Sequence, residues 1–234
     1  MKNLILFGVL TFSIFLYGQD HNLQLSPTFG RGDFTAVSDG VNLKTRYILS
    51  SKDVNSVEGT HYLFPEWKGK FKVFTSEKFA YSVESLNYDI LSKNLETKIS
   101  NDTIFKFDSS KIYLVDTGYN NYKFFTVNNK KELCQVLFSS DKIIFLKGFD
   151  IDILKGYFNP VTQQYEGNDK YKIYYKYLFK VSKSEFVIID LKKKSILKLL
   201  GDKSILVEKY ASEMKLSFSS EKDLCKIFQY YDSL

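Results

Sequence analysis

Side chains that commonly act in catalysis or bind metals are scarce in this chain. Its 234 residues include two histidines, His21 and His61, and two cysteines, Cys134 and Cys225. The sequence contains no H-E-x-x-H or paired C-x-x-C zinc motif, no G-x-S-x-G and no phosphate-binding glycine loop. A lone histidine such as His61 is more often structural than catalytic, because a general base needs an oriented partner and a nucleophile within reach. The sequence therefore predicts no metal ion and no cofactor.

One short pattern could support hydrolysis. Residues 114–118 read Leu-Val-Asp-Thr-Gly. Two apolar residues before Asp-Thr-Gly resemble the active-site strand of aspartic proteases, in which two aspartates share a proton and activate water. No second Asp-Thr-Gly or Asp-Ser-Gly occurs, so the resemblance implies a homodimer with Asp116 as the catalytic carboxylate of each subunit. A strand end followed by a turn explains the same residues, and we keep the homodimeric hydrolase as an alternative hypothesis.

An aromatic cluster lies early in the chain. Tyr62, Phe64 and Trp67 surround Pro65, and Trp67 is the single tryptophan. An exposed cluster of this kind would form a binding platform for a sugar or a protein partner. The same residues could instead close the open end of a sheet, which we favour because an unshielded aromatic cluster promotes aggregation. We retain Tyr62, Phe64 and Trp67 as candidate binding residues.

The two cysteines leave two interpretations open. An oxidising compartment would permit a disulfide between Cys134 and Cys225. Each also lies among apolar residues of the sequence, where a free cysteine behaves as a small buried hydrophobe. Sequence cannot establish the geometry that a disulfide requires.

The first 18 residues have the pattern of a secretory signal peptide. Lys2 precedes a mostly apolar run from Leu4 to Leu16, and Gly18 offers a small residue at the expected cleavage site. The run is shorter than the roughly 20 residues that span a bilayer. Gln19 stands where a lipoprotein would carry its anchor cysteine. We therefore expect an exported protein that is periplasmic, cell-surface or secreted, is not a lipoprotein, and has no transmembrane segment after cleavage.

Composition predicts a folded chain. Hydrophobic residues make up 44% and aromatic residues 17% of the sequence, which is enough to form a sizeable core. The formal net charge is +6, and the lysines are spread along the chain. Such a distribution indicates a solvated lysine surface, and no nucleic-acid partner is expected.

The middle of the chain predicts antiparallel strands. From residue 171 to residue 181, Tyr171, Ile173, Tyr175 and further apolar residues alternate with lysines, which is typical of a strand with one buried and one solvated face. Turn residues recur about every ten positions. Nine other strands are expected at 43–49, 70–74, 95–99, 103–107, 112–115, 122–127, 133–138, 142–146 and 185–190.

Helices are expected after residue 191. Leucines at helical spacing lead to Gly201 as a stop, and a second helix follows Asp202. A third begins at Ser220, which forms a capping box with Asp223. Its apolar stripe must be buried, most simply against the sheet.

We predict a mainly β (α+β) fold, in which an antiparallel meander or sandwich-like sheet carries a small C-terminal helical cap. The chain is then divided into a signal peptide (1–18), an N-terminal segment (19–58), a β domain (59–190) and C-terminal helices (191–234).

Several segments resemble a group of uncharacterised exported bacterial proteins. They are Gly-Thr-His-Tyr-Leu-Phe at 59–64, Leu-Leu-Gly-Asp-Lys at 199–203, Glu-Lys-Asp-Leu at 221–224 and the ending at 230–234. The resemblance covers about residues 59 to 234 and implies a shared architecture without any activity. Together with export and the scarcity of catalytic motifs, it favours a non-enzymatic binding or assembly component of the cell envelope or extracellular space, whose partner is an unidentified envelope protein or glycan.

Overall fold

The protein is described by a computed structural model that covers residues 19–22, 34–38, 41–45, 47–49, 57–77, 79–100, 103–181 and 184–234. The predicted signal peptide lies outside these residues. The fold is mainly β with a C-terminal helical segment, which confirms the predicted fold class. Among the described residues, no helix is long and apolar enough to cross a membrane.

Seventeen strands and three α-helices are described in chain order. They are β1 (Gln19–Asn22), β2 (Phe34–Ser38), β3 (Val41–Thr45), β4 (Tyr47–Leu49), β5 (Lys68–Phe74), β6 (Phe79–Ser85), β7 (Asn87–Asp89), β8 (Asn94–Ser100), β9 (Thr103–Lys106), β10 (Leu114–Asp116), β11 (Asn121–Val127), β12 (Lys130–Ser139), β13 (Ile143–Leu154), β14 (Tyr157–Asn159), β15 (Gln164–Glu166), β16 (Lys170–Val181), β17 (Val187–Ile189), α1 (Lys193–Leu200), α2 (Ser204–Glu213) and α3 (Glu221–Ser233).

The main sheet has nine strands in the order β1-β6-β5-β10-β11-β12-β13-β16-β17. Its pairs are antiparallel, as predicted, except for the edge pair of β1 with β6, which is parallel. A second sheet has the order β4-β9-β8-β7, and two separate hairpins join β2 with β3 and β14 with β15. The predicted strand at 43–49 is wrong as one element, because β3 and β4 divide it between two sheets.

Core 1 lies between the two sheets. Val73, Val115 and Leu133 of the main sheet pack there with Tyr88 and Leu95 of the second sheet. These side chains are almost completely buried, so the second sheet covers one end of this face of the main sheet.

The β7–β8 hairpin packs against the main sheet at the place where β12 and β13 no longer pair with each other. β12 pairs with β13 from Gln135 to Ser139. Beyond that region, the backbone N–H of Leu133 donates to the Tyr88 hydroxyl at 3.2 Å. Lys93, at the turn of the hairpin, donates to the carbonyl oxygen of Phe149 at 3.0 Å. The hairpin thus supplies partners to backbone groups that the ladder between β12 and β13 leaves open.

Core 2 lies beneath the helices, on the same face of the main sheet. Phe228 of α3 packs with its ring centroid 5.2 Å from that of Phe145 and 5.0 Å from that of Phe179. Ile196 of α1 and Val207 of α2 are fully buried in the same core. The apolar stripe of α3 is therefore buried against the sheet, as the sequence predicted.

The helix ends follow their predicted signals. Gly201 ends α1 with φ of +58°, a conformation that glycine adopts without steric cost. The Ser220 hydroxyl accepts from the Asp223 N–H at 3.3 Å, as expected for an N-cap. The other half of the predicted capping box differs, because the Asp223 carboxylate accepts from the Ser217 N–H at 3.1 Å.

The alternating strand β16 departs from its predicted pattern at two residues. Tyr175 belongs to the predicted buried face but is 61% exposed. Lys176 belongs to the predicted solvated face, yet its side chain is only 16% exposed and pairs with Glu132 at 2.8 Å and Asp150 at 3.0 Å. Gly148 lies opposite Lys176 in the ladder, and a Cβ there would meet the lysine side chain at 2.9 Å. The glycine therefore lets the lysine lie across β13.

Candidate functional site

A cross-strand row of polar and aromatic side chains runs from core 1 to the margin of core 2. Its members are direct neighbours in the ladders: Tyr122 pairs with Gln135, Gln135 with Lys147, and Lys147 with Tyr177. Residues two positions away along the strands enter the cores, since Leu133 lies in core 1 and Phe145 in core 2. Its two central members, Gln135 and Lys147, occupy the strip of sheet between the two coverings.

This strip forms the floor of an open trench of about 890 Å³. One wall is the segment from Leu63 to Glu66 with the start of β5, and the turn from Thr117 to Asn120 forms another part of the rim. Tyr119, in that turn, is 95% exposed, and Tyr175 is 61% exposed. Two largely exposed aromatic side chains thus line one depression with polar groups at its floor.

Glu221, the first residue of α3, fixes the polar groups at the helical end. Its carboxylate pairs with the Lys147 ammonium at 2.9 Å and accepts from the Tyr177 hydroxyl at 2.5 Å. The Lys147 nitrogen lies 4.3 Å from the centroid of the Tyr175 ring, in cation–π geometry. One acidic residue therefore orients a lysine that lies over an exposed ring.

The ionisation of these groups reflects both burial and pairing. Burial and, second to it, the hydrogen bond to the Glu221 carboxylate together raise the pKa of Tyr177 to about 12. Burial also raises the pKa of Glu221, but the hydrogen bonds from Tyr177 and Lys147 outweigh it and leave this pKa below its usual value. Glu221 is therefore a carboxylate, and Tyr177 a neutral donor, at neutral pH.

An amide pair fixes the other end of the row. Gln135 donates from Nε2 to Oδ1 of Asn120 at 2.9 Å. Burial raises the pKa of Tyr122, against a hydrogen bond with the Asn120 side chain that lowers it. Amide side chains carry both donors and acceptors, so this end of the trench can bind hydroxyl groups in either role.

Asp116 is the last residue of β10 and stabilises the turn that leads to β11. Its carboxylate accepts from the Gly118 N–H at 2.7 Å, and the Thr117 hydroxyl accepts from the Asn120 N–H at 3.1 Å. Val115 points into core 1, so the adjacent Asp116 lies on the opposite face of the strand from the trench. Thr117 and Gly118 line the rim of the trench, Asp116 does not, and a catalytic role of Asp116 stays a prediction.

The structure separates the predicted aromatic platform into two places. Tyr62 and Trp67 pack edge to face at 4.7 Å, and the Lys98 ammonium lies 4.4 Å above the Trp67 ring. Phe64 packs instead on Phe71, with centroids 5.7 Å apart, and lines the trench. Of the three residues, Phe64 alone lines the trench, and the binding role of all three stays a prediction.

A polar cluster adjoins Tyr62. The Tyr62 hydroxyl donates to the Glu96 carboxylate at 3.2 Å, and that carboxylate pairs with the Lys106 ammonium at 3.2 Å. Burial raises the pKa of Glu96 despite the lysine. His61 lies 4.0 Å from Asp89. In the part of the chain that the structure describes, no three His, Cys, Asp or Glu side chains come together as a metal site.

Both cysteines are free thiols. Cys134 lies with Leu146 and Leu178 in a small third core on the face of the sheet opposite the trench. Cys225 lies on α3 and donates to the Leu137 carbonyl oxygen at 3.3 Å. The sheet separates the two sulfur atoms, so the structure contains no bridge between them.

The chain matches no family model, no curated protein and no solved structure with which it was compared.

Sequence reasoning missed most trench residues. Tyr119, Gln135 and Lys147 of the trench, and Glu221 that pairs with Lys147, are common residue types at positions far apart in the chain. Tyr175 was expected in the buried face. These residues come together because the strand register aligns Gln135 with Lys147. The positions of the second sheet and the helices then leave this part of the sheet uncovered.

Proposed function

We propose that this is an exported, non-enzymatic binding protein of the cell envelope or extracellular space, and that the trench is its ligand site. The observation that carries the proposal is the strip of sheet left open between core 1 and core 2, with Tyr119 and Tyr175 exposed along it. Concave surfaces lined by aromatic rings and a few fixed polar groups are typical of binding sites.

The arrangement of charges supports binding rather than proton transfer. Lys147 and Glu221 pair with each other, so each holds the other in position. Gln135 and Asn120 are likewise joined by a hydrogen bond. A floor that is already ordered loses little conformational entropy when a ligand arrives, which favours affinity.

Export is supported by the pattern of residues 1–18. N-terminal sequencing of the protein isolated from its native cells tests this part of the proposal. We expect the chain to begin at or near Gln19 and to be recovered outside the cytosol. Recovery of the intact Met1 form from the cytosol would reject export.

The trench is tested by capture from envelope and culture-medium fractions of the native cells. The immobilised protein is compared with a Tyr119→Ala/Tyr175→Ala variant. The material that each protein retains is identified by mass spectrometry and sugar analysis. The matched control is Tyr157→Ala/Tyr165→Ala, which removes two tyrosines of similar exposure, 69% and 63%, from the β14–β15 hairpin.

We expect the wild-type protein and the hairpin control to retain the same component and the trench variant to lose it. Circular dichroism establishes that all three proteins are folded. Equal retention by the trench variant would show that the ligand binds elsewhere and would reject the trench as the site.

A further inference from the structure

The exposed rings of the trench suit a ligand with flat, partly apolar faces. Tyr119 and Tyr175 line the same depression and are mostly exposed. A pyranose ring presents C–H groups on its faces and hydroxyl groups around its edge. The C–H face packs on an aromatic ring, and the hydroxyl groups then need polar partners nearby.

The floor offers those partners in both hydrogen-bonding roles. Gln135 and Asn120 each carry an amide with donors and an acceptor, and Lys147 adds ammonium donors. A sugar hydroxyl both donates and accepts. The amides therefore match it better than they match a phosphate, which offers acceptors alone at its charged oxygens.

The backbone of the floor argues against an extended peptide. Peptides commonly bind sheets by adding a strand to an open edge, where main-chain groups are free. The trench floor is formed instead by the face of β11, β12 and β13, which are interior strands of the main sheet. A peptide here would find side chains but few backbone partners.

One wall of the trench carries positive charge. Lys68 and Lys70 of β5 are exposed and line it, together with the carboxylate of Glu66. Lys147 is neutralised by Glu221. The wall therefore retains an excess of ammonium groups, which favours an anionic ligand.

We infer, on the basis of the proposed function, that the trench binds an acidic glycan chain. Sugar rings pack on Tyr119 and Tyr175, hydroxyl groups bond to the amides of Gln135 and Asn120, and the carboxylate or sulfate groups of the chain face Lys68 and Lys70.

Calorimetric titration with three probes tests the inference: an oligogalacturonate, a neutral dextran oligomer and poly-glutamate. We expect the oligogalacturonate to bind most tightly, with an affinity that falls as salt rises because exposed charges are screened. Tyr119→Ala/Tyr175→Ala should weaken its binding by about tenfold or more, as for other aromatic binding residues. Lys68→Gln/Lys70→Gln should weaken it severalfold and reduce the salt dependence. Tyr157→Ala/Tyr165→Ala should leave binding unchanged.

Three outcomes overturn the inference. Equal binding of dextran without a salt effect rejects an acidic ligand, equal binding of poly-glutamate rejects a glycan, and binding of none of the probes rejects both. If the probes fail while trench-dependent capture from native fractions persists, the glycan inference falls and the proposed function stands. If capture is also independent of Tyr119 and Tyr175, both fall.

Discussion

Glu221 connects the helical cap to the trench through a single carboxylate. It bonds to Lys147 from β13 and to Tyr177 from β16. It is also the first residue of α3, where a negative charge is stabilised by the helix dipole. Its ionised form is thus favoured by Lys147, by Tyr177 and by the dipole of its own helix.

The lowered pKa of Glu221 predicts a pH dependence of stability. The folded state binds this proton less tightly than the unfolded state, so the stabilisation is present above the unfolded pKa and is lost as pH falls through the lower folded pKa. Glu221→Gln should therefore reduce the free energy of unfolding at pH 7, and the difference from wild type should shrink at about pH 3. Urea unfolding at both pH values measures it.

The matched control is Glu213→Gln on α2, whose carboxylate is 62% exposed and lies 3.9 Å from Lys209. Exposed pairs of this kind contribute little, so the control should unfold almost as the wild type does at both pH values. A difference for Glu221→Gln that is the same at both pH values would contradict the assignment of the effect to its charge.

The two thiols should differ in reactivity. Burial and, second to it, the nearby Glu132 carboxylate raise the pKa of the Cys134 thiol to about 12. Burial also raises the pKa of Cys225, which is only partly buried. Because the thiolate is the reactive form, labelling of the native protein with a thiol reagent should modify Cys225 first and Cys134 only on unfolding.

Mass spectrometry of the labelled protein, prepared without reducing agent, checks this order. Cys134→Ser and Cys225→Ser variants assign each label to its residue. Unfolded, unreduced protein should accept two labels. Protein that accepts none under those conditions would contain the disulfide that the structure does not show.

At the scale of elements, α3 depends on a cap that the sequence identified. The Ser220 hydroxyl accepts from the Asp223 N–H, one of the donors that a helix start leaves without an intrahelical partner. Ser220→Ala should reduce the free energy of unfolding by about 1 kcal/mol, the usual effect of removing such a cap. Denaturant unfolding measures the change.

Ser212→Ala on α2 is the matched control, since Ser212 is an exposed residue near the end of a helix rather than a cap. Alanine has the higher helix propensity, so this change should be neutral or slightly stabilising. Equal destabilisation by both changes would show that the Ser220 hydroxyl has no particular role at the start of α3.

At the scale of the molecule, the trench exists because two separate elements cover one face of one sheet. The second sheet covers core 1 and the helices cover core 2. Gln135 and Lys147 lie between them, and their polar groups are compatible with water. The trench therefore lies on the part of the main sheet that neither the second sheet nor the helices cover.

The attachment of the helices should depend on Phe228, which is fully buried among aromatic rings of β12, β13 and β16. Phe228→Ala removes this packing and leaves a cavity, at an expected cost of about 3–5 kcal/mol in the free energy of unfolding. Ile205→Ala is the control, because Ile205 is 76% exposed on α2. Thermal or urea unfolding compares them, and a loss below about 1 kcal/mol for Phe228→Ala would contradict its central position.

Much of the fold could be predicted because its signals are local. The β16 alternation, the stop at Gly201 and the cap at Ser220 each lie within one element. β6 was missed although Phe79–Ser85 forms a regular strand, and the predicted strand at 142–146 extends to Leu154. Strand ends depend on pairing partners, which local residues do not specify.

The candidate site was less predictable than the fold. Phe64 was expected among binding residues because aromatic residues cluster near it in sequence. Tyr175 and Lys176 were assigned to the wrong environments, since alternation identifies the two faces of a strand but not the extent of their coverings. Burial of Lys176 also required Gly148 beside it and Glu132 one strand further away.

The sequence by itself determined that the chain forms antiparallel strands followed by capped helices, because hydrophobic periodicity, turn residues and caps act over a few residues. Only the tertiary structure decided that Gln135 and Lys147 are neighbours, that Cys134 and Cys225 lie on opposite faces, and that a trench remains between two cores. Those features depend on strand register and on the packing of distant elements, which no local pattern encodes.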